Sequence, residues 1–177
     1  MLGDDGSGAF SGVIAGISWA FQQAKASGRP SVAVMSLGGP SNKPLDTAVR
    51  NAINGGLSFA IAAGNENQDA TKTSPAGVSE ANVVGAVDEN NKKARFSNFG
   101  SPLNVWAPGV GILSAWIDGP NSAKKLDGTS MAAYVLCYYT HSCQEDSSFW
   151  NLDLVLVGIW RWPLVGKALY HRTCPSS

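Results

Sequence analysis

The sequence is poor in charge of either sign. Only 15% of its 177 residues are Asp, Glu, Lys or Arg, thirteen of each sign, so the formal net charge is zero. That excludes a basic face for nucleic acid and a polybasic patch for an anionic membrane surface. Long hydrophobic runs are missing too. Leu154–Trp160 (LVLVGIW) lies between Asp153 and Arg161 and falls well short of the ~20 residues that a spanning helix needs; exposed, it would be an aggregation hazard. Cysteine and histidine are scarce, three and two residues, and none of the five precedes Ala133. An odd cysteine count argues against a tidy disulfide framework. Cys137, His141, Cys143, His171 and Cys174 are ligand types that suit zinc, but their spacing matches no common finger. No basic leader with an apolar core opens the chain, since Met1 runs directly into Gly3-Asp4-Asp5-Gly6-Ser7-Gly8. The expectation is either an intracellular protein or one whose true beginning lies further upstream.

The length suits one domain with a single core. Composition shifts near Ala133: all the Cys and His, and Trp150, Trp160 and Trp162 among the six tryptophans, come after it. Before it the chain is rich in Gly, Ala, Ser, Val and Asn and alternates helical with strand patterns. The reading is therefore a domain over residues 1–133 and a tail over 134–177, without regular alternation and expected to be poorly ordered.

Within the first region, Val13, Ile14, Ile17, Phe21 and Ala24 recur at helical spacing between Ser11 and Ala26, with Gly28-Arg29-Pro30 as the stop. Ser31–Leu37 reads as a buried strand bounded by Pro30 and Gly38-Gly39. Pro44 opens a second helix through Leu45, Ala48, Val49, Ala52 and Ile53 to Gly55-Gly56. Leu57–Ala63 is another strand, ending at Gly64-Asn65. Strand, helix, strand with short joins implies parallel pairing. Asn82–Val87, Leu103–Trp106 and Gly111–Trp116 read as further strands, and Asp118–Leu126 as a loop. Open parallel sheets bind ligands at the carboxyl ends of their strands, which is where Gly38-Gly39 and Gly64-Asn65 fall.

Gly128-Thr129-Ser130-Met131-Ala132 follows that loop. Such a run places a serine hydroxyl in the first turn of a helix, where unpaired N–H groups favour negative charge. Alone it also describes many helix N-caps. It is accompanied, in order, by Gly6-Ser7-Gly8-Ala9-Phe10-Ser11, Ser36-Leu37-Gly38-Gly39, Ala62-Ala63-Gly64-Asn65, Phe96-Ser97-Asn98, Ala107-Pro108-Gly109 and Ile112-Leu113-Ser114. With these segments, Leu2 to Ala132 resembles the middle and late part of a subtilisin-type serine protease, most similar to the secreted fungal enzymes of the proteinase K group.

The resemblance implies an α/β, three-layer fold with a mostly parallel sheet, here partial at both ends, and a serine endopeptidase function. Ser130 would be the nucleophile that forms an acyl-enzyme, and Asn65 would donate to the oxyanion together with the Ser130 backbone N–H. Read without the family, Asn65 is a turn residue after a strand. Gly6, Ser7, Gly8 and Ser36, Leu37, Gly38 would be two backbone edges between which a polypeptide substrate lies as an added strand. Phe10 is either a wall of a distal substrate pocket or a core contact under the first helix. Ala63 and Gly64 would border a primary pocket suited to large apolar side chains. Implied partners are polypeptide substrates and a pro-segment or protease inhibitor acting on a monomer, and the implied location is extracellular.

The departures from the family are specific. Family enzymes carry their aspartate and histidine upstream in Asp-Ser/Thr-Gly and His-Gly-Thr motifs, and neither occurs in these 177 residues. Asp4, Asp5, Asp88 and Asp127 read as turn or loop residues. After the nucleophile, relatives continue through a proline and a His-Val-Ala-Gly-like run, whereas this chain reads Ala133-Tyr134-Val135-Leu136-Cys137. The expectation is a truncated or mis-spliced product with little residual activity; the alternative is a non-catalytic fragment keeping part of a peptide groove. No cofactor is expected. Calcium, frequent in the family, would have Asn104 in place of the usual Asp, with the Ser79 and Ala81 carbonyls beside it.

Overall fold

A computed structural model describes residues 2–3, 5–142 and 153–157. Helix α1 (Phe10–Ser27) buries Val13, Ile17 and Ala20, one stripe at helical spacing, and ends on Gly28, whose left-handed φ of 64° lets its N–H return to the Lys25 carbonyl. Strand β1 (Ser31–Met35) follows, then the two-residue β2 (Gly39–Pro40). Helix α2 (Lys43–Asn54) is capped by Asn42, whose side chain accepts the Leu45 N–H at 3.0 Å, and it buries Leu45, Val49 and Ala52. The chain continues through β3 (Ser58–Ala62), β4 (Thr73–Ser74), β5 (Asn82–Val87), β6 (Leu103–Pro108), β7 (Ile112–Ala115), β8 (Ala123–Leu126), α3 (Thr129–Ser142) and β9 (Asp153–Val157).

Five of these strands form one sheet in the order β6-β5-β3-β1-β9, every neighbouring pair parallel. Successive side chains of a strand point to opposite faces, and the core divides accordingly. Ala33, Met35, Phe59, Ile61 and Val83 meet α1 and α2, while Val34, Ala60, Ala62, Val84 and Ala86 meet Ala132, Ala133 and Cys137 of α3. The result is three layers, two helices over one sheet face and one helix under the other. The α3 face of the sheet is built mainly from alanine, so α3 lies close to the strands, and with it the serine at its start.

The expected helices and strands are all present, with ends shifted by one or a few residues. Three features were not legible. The expected loop from Asp118 to Leu126 contains β8, which pairs antiparallel with β7; its sequence, AKKL, is largely exposed and carries no apolar alternation, so the pairing alone defines it. In the tail, α3 continues to Ser142, because Ala132, Ala133, Leu136 and Cys137 share one helical face against the sheet. Further on, β9 takes the free edge of β1, with Ser31 opposite Asp153 and Met35 opposite Val157. The rest of the tail, including Cys143, His171 and Cys174, lies outside the described residues.

Candidate active site

The carboxyl ends of β1 and β3 and the start of α3 meet at one place. Ser36, just after β1, donates its hydroxyl to the Ser130 backbone carbonyl at 3.1 Å. Thr129, wholly buried, links α3 to the turn after β3. Its Oγ1 accepts the Gly64 N–H at 3.1 Å and donates to Asn65 Oδ1 at 3.0 Å, while its backbone N–H donates to the same oxygen at 2.9 Å. With two donors on Oδ1, the other end of the Asn65 amide is the NH2 group, which is left to donate. Ser130 sits in the first turn of α3, where backbone N–H groups have no partner within the helix.

The two nitrogens lie close to one point beside Gly128. A Cβ placed on Gly128 would lie 3.7 Å from the Ser130 nitrogen and 3.8 Å from Asn65 Nδ2. Glycine keeps that point open. Gly109 is required for a different reason, since a Cβ there would come within 2.6 Å of the Ala86 Cβ and 2.8 Å of the Gly128 carbonyl. Its absence lets Gly128 approach closely enough to donate its N–H to the Gly109 carbonyl at 2.8 Å. An anion at the first turn of a helix, beside a fixed amide donor, is the charge arrangement of an acyl-transfer intermediate.

The remaining predicted residues are arranged as follows. Leu37 packs on the α1/α2 core and Gly38 leads into the β2–β4 pair, in which Gly39 opposes Ser74. Ala63 is fully buried and Gly64 has a φ of 104°. Phe10 packs against the core, and its ring reaches within 3.1 Å of the point where a Gly39 Cβ would stand. The chain turns at Asp5–Gly6, and Ser7 and Gly8 follow in irregular structure. The Ser7 carbonyl accepts the Gly3 N–H at 2.8 Å, its N–H goes to Asp5 Oδ1 at 2.9 Å, and the Gly6 N–H goes to the Gly3 carbonyl at 3.0 Å. These groups are engaged locally, so an added strand finds fewer partners here than at Ser36–Gly38.

No described side chain supplies a base. Asp5, Asp88 and Asp127 accept from Ser7, from Asn90 and Lys92, and from Gly111, all in turns or loops. The Ser7 hydrogen bonds hold the Asp5 carboxyl below the usual carboxylate range. His141 follows Ser130 by about three turns of the same helix, about 16 Å along its axis. The Asn104 amide oxygen accepts the Val83 N–H at 3.0 Å, across the register shift between β5 and β6. Among the described residues no group of three or more His, Cys, Asp or Glu comes together, and no helix is long and apolar enough to cross a membrane.

Residues 1–138 match the Subtilase family. The chain belongs to that family. It is similar to a cuticle-degrading serine protease of Arthrobotrys oligospora, 47% identical over 132 residues that make up 75% of this chain and 32% of that protein. It is also similar to an alkaline serine exoprotease A of Vibrio alginolyticus, 50% identical over 84% of this chain and 27% of that protein. A cold adapted subtilisin-like serine proteinase has a similar crystal structure, with a TM-score of 0.73 and 46% identity over 81% of this chain and 52% of that chain. The subtilase chain described here thus spans about a third of the length of the curated relatives it matches, and its three layers are the corresponding part of a subtilisin-like α/β fold. Some relatives are named as extracellular proteinases, such as one from a Thermus strain.

Two residues that shape the site were not singled out in the sequence. Thr129 lies inside the quoted Gly-Thr-Ser-Met-Ala run, and Asn98 inside Phe-Ser-Asn. The available signal was a small polar residue beside a strained or apolar run, which is too common to assign a role.

Proposed function

We propose that this chain is the nucleophile-bearing part of a serine endopeptidase that cleaves polypeptides through an acyl-enzyme on Ser130. The observation that carries this is that the Ser130 nitrogen and Asn65 Nδ2 lie within 3.8 Å of one point beside Gly128, with the Asn65 amide oriented by Thr129. In the reaction, Ser130 Oγ attacks the scissile carbonyl carbon and the carbonyl electron pair moves to oxygen. Asn65 Nδ2 and the Ser130 N–H donate to that oxyanion. Collapse breaks the C–N bond as the departing nitrogen takes a proton from solvent water, leaving the acyl group on Ser130, and a second water then hydrolyses the ester, releasing the acid and restoring the Ser130 hydroxyl. The Ser130 proton passes to solvent hydroxide in this chain, since no described side chain is placed to take it. Ser36, Leu37 and Gly38 supply one backbone edge for an extended substrate or inhibitor, Ala63 and Gly64 border the primary pocket, and Gly6, Ser7, Gly8 and Phe10 stand at the distal side. The parent protein would be secreted and monomeric.

A peptidyl p-nitrophenyl ester tests this, because its leaving group needs no general acid. Intact mass is expected to show one acyl group, on Ser130, absent in Ser130→Ala. Acylation spread over lysines, or unchanged by Ser130→Ala, overturns the reading. The lack of a base near Ser130 among the described residues favours a second reading, a partial groove that binds peptide without turnover, for which the same ester would bind and not acylate.

A further inference from the structure

We propose that Asn98 is a positioning residue for the oxyanion site, a clamp that fixes Asn65 by holding the chain on both sides of it. The proposal rests on the oxyanion reading above. A side-chain amide offers two N–H donors and an oxygen with two lone pairs, and Asn98 uses all four. Its Nδ2 donates to the Ala63 carbonyl at 2.9 Å and to Glu66 Oε2 at 2.8 Å, while its Oδ1 accepts the Glu66 N–H at 3.1 Å and the Gln68 N–H at 2.9 Å. Its own backbone N–H goes to the Gly64 carbonyl at 3.0 Å. Asn98 therefore bonds to residues 63, 64, 66 and 68, before and after Asn65, and it is fully buried while Asn65 is exposed.

The surroundings are built for this side chain. Gly64 has a φ of 104°, and a Cβ on it would collide with Asn98 Nδ2. The segment carrying Asn98 is rooted in the sheet, since the Ala86 N–H of β5 donates to Ser97 Oγ at 3.0 Å. Lys93 adds a second tie, with Nζ on Asn67 Oδ1 at 2.8 Å and on the Ser97 carbonyl at 2.9 Å, and the Asn67 N–H goes to the Phe96 carbonyl at 2.8 Å. A continuous path runs from β5 through Ser97 and Asn98 to the 63–68 turn, then through Asn65 to Thr129 and α3. Oxyanion donors act through fixed geometry, with tolerance of about half an ångström. A loop tip that is exposed at Asn65 needs such an anchor, and a network with every member satisfied supplies it.

The test uses the 177-residue chain and the acylation of Ser130 by the peptidyl p-nitrophenyl ester. Asn98→Asp keeps both acceptors, loses both donors and sets a carboxylate against the Ala63 carbonyl and Glu66. It is expected to slow acylation by about tenfold or more when Asn65 is present, and by less than about twofold when Asn65 is already alanine, because residues acting as one unit are not additive. Glu66→Gln in the Asn98→Asp chain returns one donor and should recover part of the loss. Glu66→Ala removes a single bond at an exposed position, keeps the fold, and should slow acylation about two- to fivefold with the same dependence on Asn65. Equal losses in the parent chain and in the Asn65→Ala chain overturn the clamp and leave the oxyanion reading standing. If Asn65→Ala itself leaves acylation unchanged, the oxyanion reading fails and the clamp has no target.

Discussion

At the scale of single residues, the site depends on what is absent from Gly128 and Gly109 as much as on the polar groups. The two positions make different demands. Gly109 has no room for a side chain, so a substitution there displaces Gly128 or β5. Gly128 is less crowded, since a Cβ there would meet only the flexible Met131 Sδ at 3.3 Å, but its φ of 159° is one that side chains rarely adopt. Gly128→Ala is therefore expected to lower the melting temperature, though by less than a substitution at Gly109, and to set its methyl 3.7 Å from the Ser130 nitrogen and 3.8 Å from Asn65 Nδ2. Acylation of Ser130 should fall about tenfold or more, towards the 10²–10³-fold known for loss of the oxyanion asparagine of subtilisin. A Gly128→Ala chain that acylates at the parent rate would show that the oxyanion lies elsewhere. That Ser130 and Asn65 come together was legible because the family segments place them by position, and their roles follow as proposals. Thr129 and Asn98 were not, because a hydrogen bond between residues 64 and 65 and residue 129, or between 98 and 63, has no local sequence signal.

At the scale of elements, α3 is the piece on which the site depends, and its fit is set by small residues on both sides. Cys137 belongs to that contact: it is 3% exposed, and burial pushes its thiol from 9.0 up to about 11. A raised folded-state value means that the unfolded chain loses the proton first, so this residue's contribution is complete below pH 9 and declines as the pH rises from about 9 towards 11. Urea midpoints are expected to drop over that window, and Cys137→Ala should flatten the drop. A midpoint that holds level through pH 11 would show that the thiol is solvated. The other element of consequence is β9. Its sequence reads as an aggregation hazard when exposed, and nothing local names β1 as its neighbour. Ending the chain after Ser142 removes β9 and uncovers the backbone of β1, an edge that invites pairing with another chain. Sedimentation should show the shortened chain self-associating at concentrations where the 177-residue chain does not. If both sediment alike, β9 is dispensable to the edge.

At the scale of the whole molecule, the three layers explain how a chain matching a third of its relatives' length still assembles a recognisable half of a site. The sheet order and the crossover helices bring residues 36, 64–65 and 128–130 together with no help from outside the described residues, because every strand that leads to them pairs within the chain. The proton chemistry has no such support. Ser130 is preceded by donors for negative charge but has no described acceptor for its own proton, and a hydroxyl without a base is weakly nucleophilic near neutral pH. The expected pH dependence follows from that asymmetry. Acylation by the p-nitrophenyl ester should rise with hydroxide concentration, about tenfold per pH unit from pH 6 to 9, with no inflection near the ordinary histidine range. Ser130→Ala should remove this phase, and Asn65→Ala should lower the line without changing its slope, since the oxyanion donors act on charge already formed. A plateau with an inflection near pH 7 would mean that an imidazole reaches Ser130 after all. His141→Gln and His171→Gln would then identify which one, and the chain would be an enzyme with a base of its own rather than the nucleophile half of one.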